Sequence, residues 1–259
     1  MHPFVNLLGR QVPTYGLCLV CGALLAGLIA LALGRRCHAK AEDVIFCGMY
    51  AAVGALIGAK AGFILIHAGE IIALLREGGI RVLTEVFISG GFLSFGAMIG
   101  GLTGFLLYCR EFGVDRDQLA CCLLPVAPLG LACCRVGCFC AGCCYGIPWE
   151  GPFAVVNACS PVGVNGVPLF PVQLLAAALA LLLFVFMLVW PGLRWPAPLS
   201  RLLGVFLTLY SAGRFGLEFF RGDHLDRLWP GLTWSQWFCL VSFIVGVWLW
   251  RLGRASRQA

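Results

Sequence analysis

Arg214, Glu218 and Arg221, in the stretch GRFGLEFFRGDH, are spaced i, i+4, i+7. On a helix that spacing puts two guanidiniums and one carboxylate on a single face. A second arginine block, CCRVGCFCAGCCYG over residues 133–146, carries Arg135 among six cysteines and several glycines, and Lys60 stands alone in another apolar stretch. Ionisable groups within apolar segments mark function by default, since each costs free energy to keep out of water. Several cations with one carboxylate point to a phosphate-bearing ligand, which arginine grips through two parallel hydrogen bonds. Purely structural pairing of Glu218 with its two arginines is the competing reading.

The cysteines raise a second chemistry. Cys140 and Cys143 form a CxxC, with Cys133, Cys134, Cys138 and Cys144 close by. The pattern lacks a second well-spaced pair with histidine, and most of the other nine of the fifteen cysteines are scattered through apolar runs, where cysteine acts as a small hydrophobe. No metal and no cofactor is therefore expected. A disulfide is favoured over a metal for this segment, with the pairing left open.

The elements that must position these groups are membrane helices. Of 259 residues, 61% are hydrophobic and only 12% charged, which excludes a soluble globular domain. Uncharged runs at 15–33, 87–108, 169–190 and 232–250 are long enough to cross hydrocarbon. Three interrupted segments join them: 44–67 with Lys60, 118–134 with Pro125 and Pro128, and 202–220 with Arg214 and Glu218. The expected fold is all-α, a polytopic membrane protein of seven transmembrane helices forming one domain over 1–259. The first run lacks a small-residue cleavage site and reads as a retained helix. Two connecting segments are longer than turns: 69–86, with a short amphipathic pattern, and 135–170, rich in Gly, Pro and Cys, expected to be external and to form part of the site wall.

Basic residues in the loops number ten on one side and six on the other when the N-terminus is placed outside, so N-out and C-in is the expected orientation. The net charge of +6 is scattered and forms no stripe, so no nucleic-acid partner is expected; the bilayer itself is the partner. The pairs Gly54–Gly58, Gly58–Gly62, Gly96–Gly100 and Gly100–Gly104 have the spacing that lets helix backbones approach. Gly90 and Gly91 open a helix after a connecting segment, where free N–H groups can hold an anion.

In order along the chain, these blocks resemble the bacterial prolipoprotein diacylglyceryl transferase family. The matching residues are Tyr15-Gly16-Leu17, Lys60-Ala61-Gly62-Phe63, Gly90-Gly91 through Ile99-Gly100, RVGCFCAGCCYG, Pro171-Val172-Gln173-Leu174, the Arg214–Glu218–Arg221 helix, and Ser235-Gln236. The resemblance implies transfer of diacylglyceryl from phosphatidylglycerol to a cysteine thiol near the signal peptide of a preprolipoprotein, in the bacterial cytoplasmic (inner) membrane. It implies that Arg135 and Arg214 hold the phosphate, that Glu218 orients them, and that Tyr15, Lys60, Gly90, Gly91, Gln173 and Arg221 contact substrate. This chain departs from the family pattern at Phe95, where a histidine or tyrosine is usual. It departs also at Cys138, Ala141 and Cys143, where asparagines and a glutamate are usual, and at Leu175 and Ala176, where a tyrosine and glutamate are usual. Cys143 near Arg135 is expected to have its thiol pKa lowered by that charge unless burial outweighs it, making Cys143 a candidate proton acceptor or nucleophile. A non-catalytic phospholipid-binding or transport protein and a membrane thiol-redox protein are the alternatives.

Overall fold

The computed structural model describes residues 3–7, 9–69, 71–73, 93–158, 160, 164–189, 197–223, 227–228 and 231–255. Helices dominate. They are α1 (Thr14–Arg36), α2 (Ala41–Ile66), α3 (Ser94–Phe112), α4 (Arg116–Leu123), α5 (Ala127–Ala141), α6 (Val172–Val189), α7 (Leu199–Glu218) and α8 (Trp234–Ala255). Three two-stranded antiparallel ribbons join them: β1 (Phe4–Leu7) with β2 (Arg10–Pro13), β3 (Val155–Val156) with β4 (Pro168–Leu169), and β5 (Arg227–Leu228) with β6 (Leu232–Thr233).

Five helical segments are long and apolar enough to cross a membrane: Thr14–Arg36, Ala41–Ile66, Arg116–Ala141, Val172–Val189 and Trp234–Gly253. Their outward surfaces are large apolar side chains. Leu28, Leu56, Ile57, Leu65, Leu182 and Ile244 are each more than three-fifths exposed. A water-soluble surface does not carry that much contiguous apolar area. The expected spans at 87–108 and 202–220 correspond to α3 and α7, which carry too many glycines and charges to qualify on composition. Helix α3 starts at Ser94, and residues 87–92 lie outside the described set. The expected 69–86 segment lies there too, apart from Gly69 and 71–73.

The chain forms two compact units, one of residues Ala39–Leu119 and one of Met1–His38 with Ala120–Ala259. In the first, α2 and α3 lie backbone against backbone. A Cβ added at Gly58 would stand 2.8 Å from the Gly100 Cα, and one at Gly100 would stand 2.9 Å from the Gly58 Cα, so only glycine permits this approach. Asp43, in the first turn of α2, accepts a 2.9 Å hydrogen bond from Tyr108 of α3 and ties their ends together.

In the second unit, α1 packs on α5, α5 on α6, α6 on α7, and α7 on α8. The expected external segment 135–170 begins later than its sequence suggests. Helix α5 runs through Arg135 to Ala141 and stops at Gly142, whose φ of 74° is the left-handed conformation that ends helices. Pro125, which has no N–H to donate, lies in the break between α4 and α5. The connection from Gly142 to Pro171 is pinned over the helix ends by backbone hydrogen bonds. Ile147 N–H donates to Phe220 O (3.0 Å), Gly222 N–H to Tyr145 O (3.0 Å) and Phe170 N–H to Ile147 O (3.0 Å). Its backbone polar groups thereby find partners in protein, the condition for irregular chain next to a membrane.

Candidate functional site

The last turns of α7 supply the charges. Arg214 and Glu218 are one turn apart, and the Arg214 Nη1 lies 2.6 Å from Glu218 Oε2 with both residues buried. Arg221 follows the helix end and approaches the same oxygen at 3.8 Å. Its main partner is Asp223, which takes both Nε (2.9 Å) and Nη2 (2.6 Å) in a two-point grip. The remaining Glu218 oxygen accepts from Thr233 Oγ1 at 3.1 Å. Thr233 immediately precedes α8 and forms a reciprocal cap with Gln236: Thr233 N–H donates to Gln236 Oε1 (3.0 Å), and Gln236 N–H donates to Thr233 Oγ1 (3.2 Å). Glu218 is therefore held from α7 and from the residue that caps α8, and the arginines it touches inherit that fixity.

Arg135, on α5, comes to the same place from the opposite side. Among the described residues it makes no hydrogen bond or ion pair to protein. It lines a cavity of about 520 Å³ together with Arg214, Arg221, Gln173, Cys144 and Tyr210. Everything else in the wall is apolar: Leu131, Val172, Ala176, Leu179, Ala180, Leu182, Leu183, Val185, Phe186, Val189, Leu209, Gly213 and Leu217. From Gln173 to Val189 the α6 wall runs about 24 Å at 1.5 Å per residue. Leu182 and Val189 are both wall residues and about two-thirds exposed, so the cavity opens sideways on the apolar surface of the unit. Three guanidiniums gather at the polar end, Arg214 paired with Glu218 and Arg221 with Asp223, while Arg135 has no carboxylate partner among the described residues. A phosphodiester would place its anionic oxygens there, with its hydrocarbon lying along α6 and α7.

The site residues expected from sequence are distributed as follows. Arg135, Arg214, Arg221 and Gln173 meet in the cavity wall, with Glu218 behind the arginines. Tyr15 starts α1 and packs on Gly137, its hydroxyl 3.6 Å from the Cys134 sulfur; it does not line this cavity. Lys60 is buried in α2, in the other unit, its Nζ 5.7 Å from the Phe63 ring centre. Gly90 and Gly91 lie outside the described residues. Phe95 is buried on α3, Ala141 offers its carbonyl to Ser160 Oγ (3.1 Å), and Ala176 lines the cavity.

The cysteines are arranged otherwise than the CxxC spacing implies. Cys140 faces Cys18 of α1, while Cys143 turns back toward α5, its sulfur 3.7 Å from Cys138 O. The Cys138, Cys143 and Cys144 sulfurs all lie within 4.8 Å of one another. Cys144, not Cys143, lines the cavity with the arginines. The thiol of Cys144 is held well below the ordinary thiol range by hydrogen bonding to Cys138 and Cys143 and by the charges of Arg135 and Arg221. Cys143 goes the other way, to about 11: its bond to Cys138 favours the thiolate, but Cys144 beside it and burial prevail. The expected lowering at Cys143 is thus found one residue on. The cause is the backbone, which is left-handed at Gly142 and again at Cys144 (φ 54°), so the two side chains point in directions no regular element would give them. All fourteen described cysteines are free thiols, so the expected disulfide is not formed among them.

Sequence reasoning gave Cys144 no site role within the cysteine cluster and passed over Asp223, Tyr210 and Thr233. Asp223 was legible as a carboxylate two residues after Arg221, and Thr233 as the Thr-x-x-Gln start of α8. Tyr210 stands one turn before Arg214, on the face already singled out.

The family model for prolipoprotein diacylglyceryl transferase matches residues 3–252. The chain is 29% identical over 254 residues to the phosphatidylglycerol–prolipoprotein diacylglyceryl transferase of Clostridium tetani, covering 98% of each protein. It is 32% identical over 230 residues to the enzyme of that name from Bordetella avium, covering 87% of this chain and 82% of the relative. With the Azoarcus enzyme of the same name it shares 31% over 250 residues, 86% of this chain and 85% of the relative. A match of that extent, taking in the arginine helix, α5 and the cavity between them, makes this chain a member of the prolipoprotein diacylglyceryl transferase family.

Proposed function

We propose that this chain transfers the diacylglyceryl group of phosphatidylglycerol to the thiol of a lipobox cysteine in a prolipoprotein. The observation that carries the reading is the convergence of Arg135, Arg214 and Arg221 at the polar end of an otherwise apolar cavity that opens sideways. A phospholipid can enter such a cavity from the bilayer, headgroup to the arginines and chains along α6 and α7.

In the reaction, the acceptor sulfur forms a bond to the glycerol carbon bearing the phosphate. The carbon–oxygen bond to phosphorus breaks, and its electron pair leaves on glycerol phosphate. The phosphate passes from one negative charge toward two, so cations positioned beforehand at the leaving oxygen stabilise the transition state more than the bound lipid. Arg135 and Arg214 take that role, Arg221 adds a third cation, and Glu218 positions the pair. Gln173, whose Nε2 donates to Cys143 O at 2.9 Å, keeps the segment after α5 seated on the cavity. Tyr15, Lys60, Gly90 and Gly91 are carried as substrate contacts on the strength of the resemblance, and Cys143 as part of the thiol-handling half of the site.

The proposed setting is the bacterial cytoplasmic membrane, with seven spans in one domain, the N-terminus and the segment after α5 outside, and the C-terminus inside; the excess of basic residues in the inside loops supports it. The test is an assay with labelled phosphatidylglycerol and a lipobox peptide. Label on the peptide thiol with stoichiometric release of glycerol phosphate is expected. Lipid binding without transfer would favour a phospholipid-binding protein instead.

A further inference from the structure

The carboxylates and amides that would handle the acceptor thiol are thin here, with Ala176 in the cavity wall and Ala141 at the end of α5. In their place stands a group of three sulfurs. Cys138 comes from the last full turn of α5; Cys143 and Cys144 come from the two residues after Gly142, folded back over it. The backbone that carries them is held independently of any ligand. Cys143 N–H donates to Cys138 O (3.1 Å), Gln173 holds the Cys143 carbonyl, and Ser160 Oγ donates to Ala141 O and, at 3.3 Å, to Gly142 O.

We propose that Cys138, Cys143 and Cys144 form a three-thiolate site for a soft closed-shell divalent cation such as Zn²⁺, whose fourth position, on the cavity side, takes the acceptor thiol. Metal–sulfur bonds of about 2.3 Å in a tetrahedron set the sulfurs about 3.8 Å apart. The three here are within 4.8 Å of one another, so side-chain rotations of about an ångström close the site without moving the backbone. Three sulfurs with no carboxylate or imidazole select a thiophilic ion over Mg²⁺ or Ca²⁺. A divalent ion on three thiolates carries one net negative charge, and Arg135 and Arg221, in the same wall as Cys144, offset it. Three ligands and one open position is the arrangement of catalytic rather than structural zinc.

This deepens the transferase reading and rests on it for the identity of the fourth ligand. The acceptor thiol releases its proton to water as its sulfur binds the cation. The bound sulfur then attacks the glycerol carbon as the carbon–oxygen bond to phosphate breaks, and the electron pair leaves with the phosphate. The thioether formed is a neutral, weaker donor and departs, leaving the cation on its three thiolates. Nothing is oxidised or reduced.

The full chain in detergent micelles, reduced and then freed of reductant, would be titrated with Cd²⁺ and separately with Co²⁺. One equivalent of Cd²⁺ should bind with a thiolate-to-metal charge-transfer band. Cys143→Ser and Cys144→Ser should each weaken binding by about 100-fold or more, beyond the range usual for losing a group that merely supports a ligand. Cys21→Ser, on an exposed position of α1, should leave it unchanged. The Co²⁺ visible spectrum should shift on adding a lipobox peptide and not its serine analogue. Absence of the Cd²⁺ band, or its survival in both Cys143→Ser and Cys144→Ser, overturns the site, and an unmoved Co²⁺ spectrum overturns its thiol-binding role. Transfer that persists after chelation in a protein showing no Cd²⁺ band sinks the metal and leaves the transferase. Metal binding with no transfer does the reverse.

Discussion

Arg135 and Arg214 face the same cavity but are built differently, and single substitutions should separate them. Among the described residues Arg135 has no carboxylate to abandon, so Arg135→Ala should lower transfer by about 10²–10³-fold, the usual loss for one preorganised charge-stabilising donor, with little change in thermal midpoint. Arg214→Ala should abolish transfer and also leave Glu218, a buried carboxylate, with Arg221 at 3.8 Å as its remaining counter-charge, at a cost below the ~3–5 kcal/mol of a fully unpaired buried charge. Arg214→Lys keeps the charge but loses the planar fork, so transfer should fall strongly while stability is largely retained. Kinetics and thermal unfolding of the same three preparations check all of this. Near-normal turnover in well-expressed Arg214→Ala would remove the phosphate assignment. Asp223→Asn should act more weakly, since it loosens Arg221 without removing a cation; a several-fold rise in KM for phosphatidylglycerol is the expected reading.

Two helix features decide whether those residues meet. Gly142 ends α5 with φ 74°, and a Cβ there would stand 2.6 Å from the Ser160 Cβ and Oγ. Gly142→Ala should therefore cost about 1–2 kcal/mol from the left-handed backbone alone. It should also displace Cys143 and Cys144, so thermal midpoint and Cd²⁺ affinity should fall together; a fall in neither would show that the turn does not position the thiols. In the other unit, the contact of α2 with α3 depends on glycine at the crossing. Gly100→Leu should force the helices apart and destabilise the Ala39–Leu119 unit, measured as faster proteolysis of that stretch in micelles, whereas Gly101→Ala, where a Cβ meets nothing closer than 3.4 Å, should be tolerated.

At the scale of the whole molecule the dominant property is apolar exterior. Leu65, Ile244, Val189 and their neighbours lie on the surface because the solvent for these faces is lipid, so helix pairing depends on close backbone approach and polar contacts more than on escape from water. The charge bias of the loops supports the proposed orientation, with the N-terminus outside and the C-terminus inside. A reporter fused after Ala259 should be active only if it is one that works in the cytoplasm, and one inserted at Glu150, on the exposed connection after α5, only if it works outside. The opposite pattern in both would invert the topology and put the segment over the cavity on the wrong side for an exported acceptor.

The amino-acid order alone determined the membrane class, the approximate places of the apolar helices and the shared face of Arg214 and Glu218, because apolar run length and the 3.6-residue turn are local properties. It also indicated glycine-mediated helix contact, since close approach needs only small residues four apart. What it did not contain was where separate elements converge. Arg135 is seventy-nine residues from Arg214 and reaches it only because α5 and α7 flank one cavity with α6. The CxxC spacing suggested that Cys140 belongs with Cys143, yet Cys140, still inside α5, faces α1, while the helix end and two left-handed residues after it bring Cys143 and Cys144 back to Cys138. Side-chain direction follows from spacing only inside a regular element; past Gly142 it depends on φ and ψ set by Ser160, Gln173 and the end of α7, contacts that exist only once the chain has folded.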